Sequence, residues 1–155
     1  MSRESIARPR VLAVSSGGGH WIQMKRLAPA FAGSRVTYAT VFPVSESDLE
    51  EAKVFSIPDA NRDTKWRLCL LVCRLVWILL RVRPTVVVST GAAPGYLAIR
   101  LGKLIGAKTL FIDSIANAQE LSLSAAMAVN HADVTLSQWD NVAEANGVHH
   151  WGAVL

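Results

Sequence analysis

Cysteine is scarce in this chain: Cys69 and Cys73 are the only two among 155 residues. Four positions apart in a helical stretch, they share one helix face and read as small apolar packing residues. The four histidines (His20, His131, His149 and His150) lie too far away in sequence to complete a metal set with them. A reducing compartment is the simplest expectation, and neither a metal nor a cofactor is expected. Charge is sparse too, at 18% of residues against 51% hydrophobic, with a mean hydropathy of +0.28. Such a chain is apolar for a free-standing domain, so part of its apolar surface is expected to face a partner or a membrane. Long hydrophobic runs are missing. The most apolar stretch, 65–82, has six apolar residues on either side of Arg74, too few to span a bilayer. Met1–Arg10 is polar and lacks the apolar core of a signal peptide, so a cytoplasmic location is expected, with residues 1–9 disordered. Lysine and arginine number 16 against 12 acids, a net charge of +4 that favours anionic partners such as phosphates or acidic headgroups. Nucleic acid is not expected, because the cations are not interleaved with aromatics along a recognisable binding module.

What is present is a regular alternation. Short apolar strands are predicted at Val11–Val14, Val36–Phe42, Val54–Ile57, Thr85–Ser89, Thr109–Ile112 and Val134–Leu136. Helices are predicted at Trp21–Phe31, Lys65–Val82, Gly95–Ile105 and Ser122–Asn130, with Ser45–Ala52 a short helix or loop, Pro58–Asp63 a loop and Val148–Leu155 extended. Continuous apolar strands separated by helices imply a parallel sheet covered on both faces, a doubly wound α/β domain. At 155 residues the size prior gives one domain. Ligands of such sheets bind at the carboxyl ends of the strands. Three polar loops fall there: Ser15–His20, Ser89–Gly95 and Asp113–Gln119.

The first loop, Ser15-Ser16-Gly17-Gly18-Gly19-His20, joins a buried strand to a helix. Glycines permit a tight turn and close approach of a ligand, and the following helix aims free N–H groups at an anion. Neither a G-x-G-x-x-G fingerprint nor the Lys-Ser/Thr pair of a P-loop is present, which argues against the commonest nucleotide uses. A plain strand-to-helix turn is the competing reading. His20 stands at the start of the helix as a general base for a sugar hydroxyl, a phosphate contact or a loop support. The second loop offers Thr90 and Gly91 as a further anion-friendly corner, unless they are ordinary turn residues. In the third, Asp113 is an alternative base or a sugar-hydroxyl acceptor, or else it or Ser114 caps a helix. Ser114 and Asn117 are candidate contacts to an acceptor sugar.

The stretch 65–82 carries a different signal. Arg67, Arg74 and Arg81 recur every seven residues and form a basic stripe, with Trp66 and Trp77 on the same side beside it. Arginine and tryptophan along one edge of an apolar helix suit a membrane interface. The alternative is a core helix with a solvated arginine edge.

Val14-Ser15-Ser16-Gly17-Gly18-Gly19-His20, Val86-Val87-Val88-Ser89-Thr90-Gly91-Ala92 and Leu110-Phe111-Ile112-Asp113-Ser114, in that order, resemble the acceptor-side subunit of two-component glycosyltransferases. That family comprises the PssD-type exopolysaccharide proteins and the membrane-anchoring subunit of the eukaryotic dolichol-pathway N-acetylglucosaminyltransferase. The chain is also similar to the N-terminal half of the MurG family. The resemblance implies a single Rossmann-like sheet equivalent to the N-terminal half of a GT-B glycosyltransferase. It implies that residues 1–155 bind a polyprenyl-diphosphate-linked sugar acceptor at the cytoplasmic face of the plasma membrane. A separate partner subunit would hold most of the UDP-sugar, and the apolar 151–155 matches the region where relatives dock it. By position, Ser15–Gly19, Thr90 and Gly91 would cradle the acceptor diphosphate, with His20 or Asp113 as base. Three glycines stand where many relatives have two, and Asp113 where glutamate is common. A scaffold that only recruits a catalytic partner, or an unrelated nucleotide-binding module, are the alternatives.

Overall fold

The computed structural model describes residues 7–41, 52–60 and 64–154. Six parallel strands form one sheet: β1 (Arg10–Val14), β2 (Arg35–Thr40), β3 (Lys53–Ser56), β4 (Val86–Ser89), β5 (Lys108–Ile112) and β6 (Val134–Leu136). Their order is β3-β2-β1-β4-β5-β6, so the chain winds outward in one direction and then returns to the centre to wind the other way. The doubly wound α/β expectation therefore holds. The reversal falls between β1 and β4, whose ends Val14 and Ser89 lie side by side. That crevice is where open parallel sheets hold ligands.

Alternation along the strands divides the core. Leu12, Val14, Ala39 and Val87 point to the face covered by α2 (Lys65–Val82), α3 (Ala92–Leu104) and α4 (Leu123–Ala128). Ala13 and Tyr38 point to the opposite face, beneath α1 (Gly19–Arg26), where the Trp21 and Tyr38 rings meet edge to face at 5.7 Å. Leu71, Leu75 and Ile78 of α2 are fully buried, and each contributes about 1.5–3 kcal/mol by leaving water.

Several bounds depart from expectation. The first helix stops at Arg26 and continues as a 3-10 turn over Ala28–Phe31, because Pro29 has no N–H to carry the α-helical ladder. α3 begins three residues early, at Ala92, since Pro94 is tolerated in a first turn. A short helix unread in the sequence, α5 (Asp140–Asn146), buries only Val142 and Ala143. His149 adds an isolated parallel bridge to Leu136. Cys69 and Cys73 are exposed and do not pack, because α2 turns 71, 75, 78 and 79 to the sheet and presents 69 and 73 on its far side. Of the segment 1–9, residues 1–6 lie outside the described residues, and the Pro9 carbonyl accepts the Arg35 N–H at 2.8 Å. Residues 42, 45–51, 61–63 and 155 of the predicted elements also lie outside them.

A polar staple closes the amino-terminal edge between β5 and β6. Asp133 accepts the Thr109 N–H at 2.8 Å and its hydroxyl at 3.0 Å, and pairs with Lys103. The Lys103 ammonium, chiefly, holds the Asp133 carboxyl down at about 2. A lowered folded-state value gives stability that is present above the usual carboxylate range and disappears as pH falls towards 2. Asp133→Asn is expected to cost about 1 kcal/mol at pH 7, since a partly exposed pair is screened by water, or about 2–4 °C in Tm. Thermal melts of both proteins should converge between pH 4 and 2.

Candidate functional site

The three predicted loops meet at the carboxyl edge of the sheet. The first two are clasped together: the Thr90 hydroxyl donates to the His20 carbonyl at 2.8 Å, and the His20 Nδ1 lies 2.8 Å from the Thr90 carbonyl. A carbonyl oxygen can only accept, so Nδ1 is the donor in this contact, and in the neutral ring Nε2 is then the acceptor nitrogen. Gly91 makes this contact possible. Its φ of 126° is left-handed, and a Cβ there would stand 2.7 Å from His20 Cε1. Gly95 serves the same corner by close approach, since a Cβ there would strike the Ser89 hydroxyl that accepts the Gly91 N–H at 3.1 Å.

The glycine corner itself stays open. Gly18 enters α1 at φ 62°, and Cβ atoms on Gly18 or Gly19 would meet nothing within 4 Å. The Gly18 carbonyl takes the Trp21 and Ile22 N–H groups at 3.1 Å. No described residue takes those of Gly19 and His20, and no acid stands in the first turn of α1. These amides and the helix's positive end face the space beside the loop. Behind them Ser15 is fully buried, with no partner for its hydroxyl among the described residues, and the Ser16 carbonyl accepts from Thr40 at 3.3 Å. Gly17, which follows them, is half-buried.

His20 opens onto a cleft of about 260 Å³ lined also by Ser114, Asn117, Ser122 and Ser124. Ala92, Ala116 and Leu123 complete the lining, so the cleft joins three hydroxyls, an amide and an imidazole to an apolar wall. Asp113 lies beneath this cleft and is 1% exposed. Its Oδ1 accepts the Ser114 N–H and the Asn117 side-chain amide, both at 2.9 Å, and its Oδ2 accepts the Ser122 N–H at 2.8 Å. Its backbone carbonyl takes the buried side-chain amides of Gln23 at 3.2 Å and Gln138 at 2.8 Å. The carboxylate thus orients three lining residues, while His20 reaches the open volume.

The fold has known counterparts. MurG of Acinetobacter baumannii superposes on 86% of the chain with a TM-score of 0.70 at 13% identity, over 43% of its own length. A glycosyltransferase from Rickettsia africae ESF-5 matches 92% of the chain with a TM-score of 0.67 at 12% identity, over 41% of its length. A UDP-N-acetylglucosamine 2-epimerase from Rickettsia bellii matches 92% of the chain at a TM-score of 0.67 and 11% identity, over 43% of its length. The chain spans less than half the length of these proteins, and the likeness is one of fold: a Rossmann-like half of the GT-B architecture. No protein-family model matches the chain, and no curated protein matches it by sequence.

The predicted interface residues lie elsewhere, on α2. Its outward face exposes Trp66 at 63%, Trp77 at 46% and Leu80 at 63%, with Arg67 and Arg81 also exposed. Arg74 is half-buried and directed inward: its Nε donates to the Ser56 carbonyl at 3.2 Å, and its guanidinium lies 4.7 Å from the Trp77 ring. No described helix is long and apolar enough to cross a membrane.

Residues missed in the sequence are Ser122, Ser124, Gln23 and Gln138. A cap signature announced Ser122, whose hydroxyl accepts the Ala125 N–H at 3.0 Å at the start of α4. Nothing in the sequence brings that cap to His20.

Proposed function

We propose that this chain is the acceptor-binding, membrane-recruiting half of a PssD-type two-component glycosyltransferase. It would take a sugar from a UDP-sugar held mainly by a partner subunit and place it on a polyprenyl-diphosphate-linked saccharide in polysaccharide synthesis. One observation carries this reading: His20, its Nδ1 engaged by the Thr90 carbonyl, lines a cleft with Ser114, Asn117, Ser122 and Ser124, next to an open glycine corner at the start of α1. Support also comes from the fold shared with a glycosyltransferase and with MurG, and from the order of the three loop motifs.

In this reading Ser15–Gly19, Thr90 and Gly91 form the cradle of the acceptor diphosphate, with the N–H groups at the start of α1 as donors, because the Ser15 and Gly91 amides are already bonded to the Ala39 carbonyl and the Ser89 hydroxyl. Ser114 and Asn117 contact the acceptor sugar, and Asp113 fixes their positions. His20 Nε2 takes the proton of the acceptor hydroxyl as that oxygen attacks the sugar's anomeric carbon and UDP departs, inverting the centre. Trp66, Arg67, Trp77 and Arg81 rest on the cytoplasmic leaflet of the plasma membrane as a peripheral contact, with Arg74 bracing the helix against β3.

The test is transfer of radiolabelled sugar from UDP-sugars to a lipid-diphosphate acceptor. The purified chain should give negligible product, and co-expression with its small UDP-sugar-binding partner should restore turnover. Robust transfer by the chain alone would overturn the split-enzyme reading. A partner fully active by itself on a water-soluble acceptor would leave this chain only a recruiting role.

A further inference from the structure

The amino-terminal edge of the sheet carries a second feature that the proposed reaction does not use. On the face covered by α2, the inner rows of the sheet are apolar, with Leu12, Val14 and Ala39 fully buried. The outermost row is cationic. Arg10 stands directly opposite Arg35 across the β1–β2 pair, and on the next row Lys53 stands opposite Thr37 across the β2–β3 pair. Alternation sends all four side chains to the same face. Arg81 and Val82, in the last turn of α2, close a cavity of about 350 Å³ over them.

Four cations therefore line one cavity. Like charges placed directly opposite on neighbouring strands cost stability rather than adding it. The helix C-terminus accounts for Arg81, which favours its negative end, but not for Arg10, Arg35 or Lys53. Among the described residues none of the four has a carboxylate partner, and the one ion pair is Lys103–Asp133 at another point of the edge. Arg10 is held at the cavity's edge by its Nε, which donates to the Arg83 carbonyl at 2.7 Å, so its terminal N–H groups are not used in that bond. The Thr37 hydroxyl adds a neutral hydrogen-bonding group to the lining.

We propose that this cavity binds a phosphate-bearing anion. Guanidinium forks match phosphate oxygens two at a time, and an anion between Arg10 and Arg35 turns their repulsion into attraction. The cavity shares no lining residue with the His20 cleft and lies at the other end of the strands. The proposal goes beyond sugar transfer and does not depend on it. Two sources can supply the chemistry: a soluble phosphate, or the headgroup of an anionic phospholipid, since Arg81 ends the helix that exposes Trp77 and Leu80.

The probe is inorganic pyrophosphate, titrated into the full chain at constant ionic strength while backbone amide NMR signals are followed. Signals of 35–37, 53 and 81–83 should move together and saturate. Arg35→Gln with Lys53→Gln should weaken that response about tenfold, whereas Lys25→Gln with Arg26→Gln, an equal charge change outside the cavity, should leave it intact. Far-ultraviolet circular dichroism confirms that each variant is folded. Flotation with phosphatidylglycerol vesicles separates the sources. For a lipid headgroup, the Arg35/Lys53 variant loses vesicle binding and pyrophosphate competes with the vesicles; for a soluble phosphate, vesicle binding is unchanged while pyrophosphate affinity drops. Movement confined to 15–20 and 90–91, or equal weakening in both double variants, would overturn the site.

Discussion

Replacing His20 with Gln is expected to lower kcat for sugar transfer about a thousandfold while moving acceptor affinity by no more than about threefold. The clasp explains the choice of variant. Glutamine keeps a side-chain N–H for the Thr90 carbonyl, which His20 Nδ1 meets at 2.8 Å, and the Thr90 hydroxyl bonds the backbone at 20 and is indifferent to the side chain. What is lost is the second ring nitrogen, Nε2, the proposed base. Transfer kinetics over a range of acceptor concentrations, measured with the partner subunit present, give both readouts. If kcat stayed near wild type while acceptor KM rose tenfold or more, His20 would be a ligand contact and the base would lie elsewhere.

Much of the frame was legible because apolar periodicity reports burial directly. Val11–Val14 before three glycines marks β1 and its corner, and Arg83-Pro84 marks the end of α2 to the residue. The faces of α2 were less legible. A helix that is apolar almost all round does not disclose which side meets the sheet, so the exposure of Cys69 and Cys73 emerges only when 71, 75, 78 and 79 are seen to pack. α5 escaped notice because seven residues burying two small side chains leave almost no periodic signal. In the site, the three strand-end loops could be read one by one from their sequences. Their coupling could not. Asp113 bonding Ser122, nine residues on, and Thr90 clasping His20, seventy residues back, are products of strand order. A lone strand-end aspartate looks the same whether it faces open space or, as here, ties down residues that line a cleft.

Gly91→Ala should then act through His20, because the added methyl group meets the imidazole and leaves the Gly91 N–H in place. A methyl group at 91 would lie 2.7 Å from His20 Cε1 and 2.8 Å from Nδ1, and φ 126° already disfavours any side chain. The ring cannot yield freely, because swinging away breaks its bond to the Thr90 carbonyl. The backbone cannot yield freely either, because the Gly91 N–H is held by the buried Ser89 hydroxyl at 3.1 Å. The imidazole is therefore displaced by about an ångström, enough to cost about a hundredfold in kcat, with about 1–3 kcal/mol of stability lost to the strained backbone. Gly19→Ala is the matched comparison: a methyl group there meets nothing within 4 Å, so the fold should be kept, and any loss should appear in acceptor-diphosphate binding and not in turnover. Assays well below the Tm of each variant separate displacement from unfolding. A Gly91→Ala protein that melts several degrees early yet retains kcat within about threefold of wild type would show that the placement of His20 does not limit the reaction.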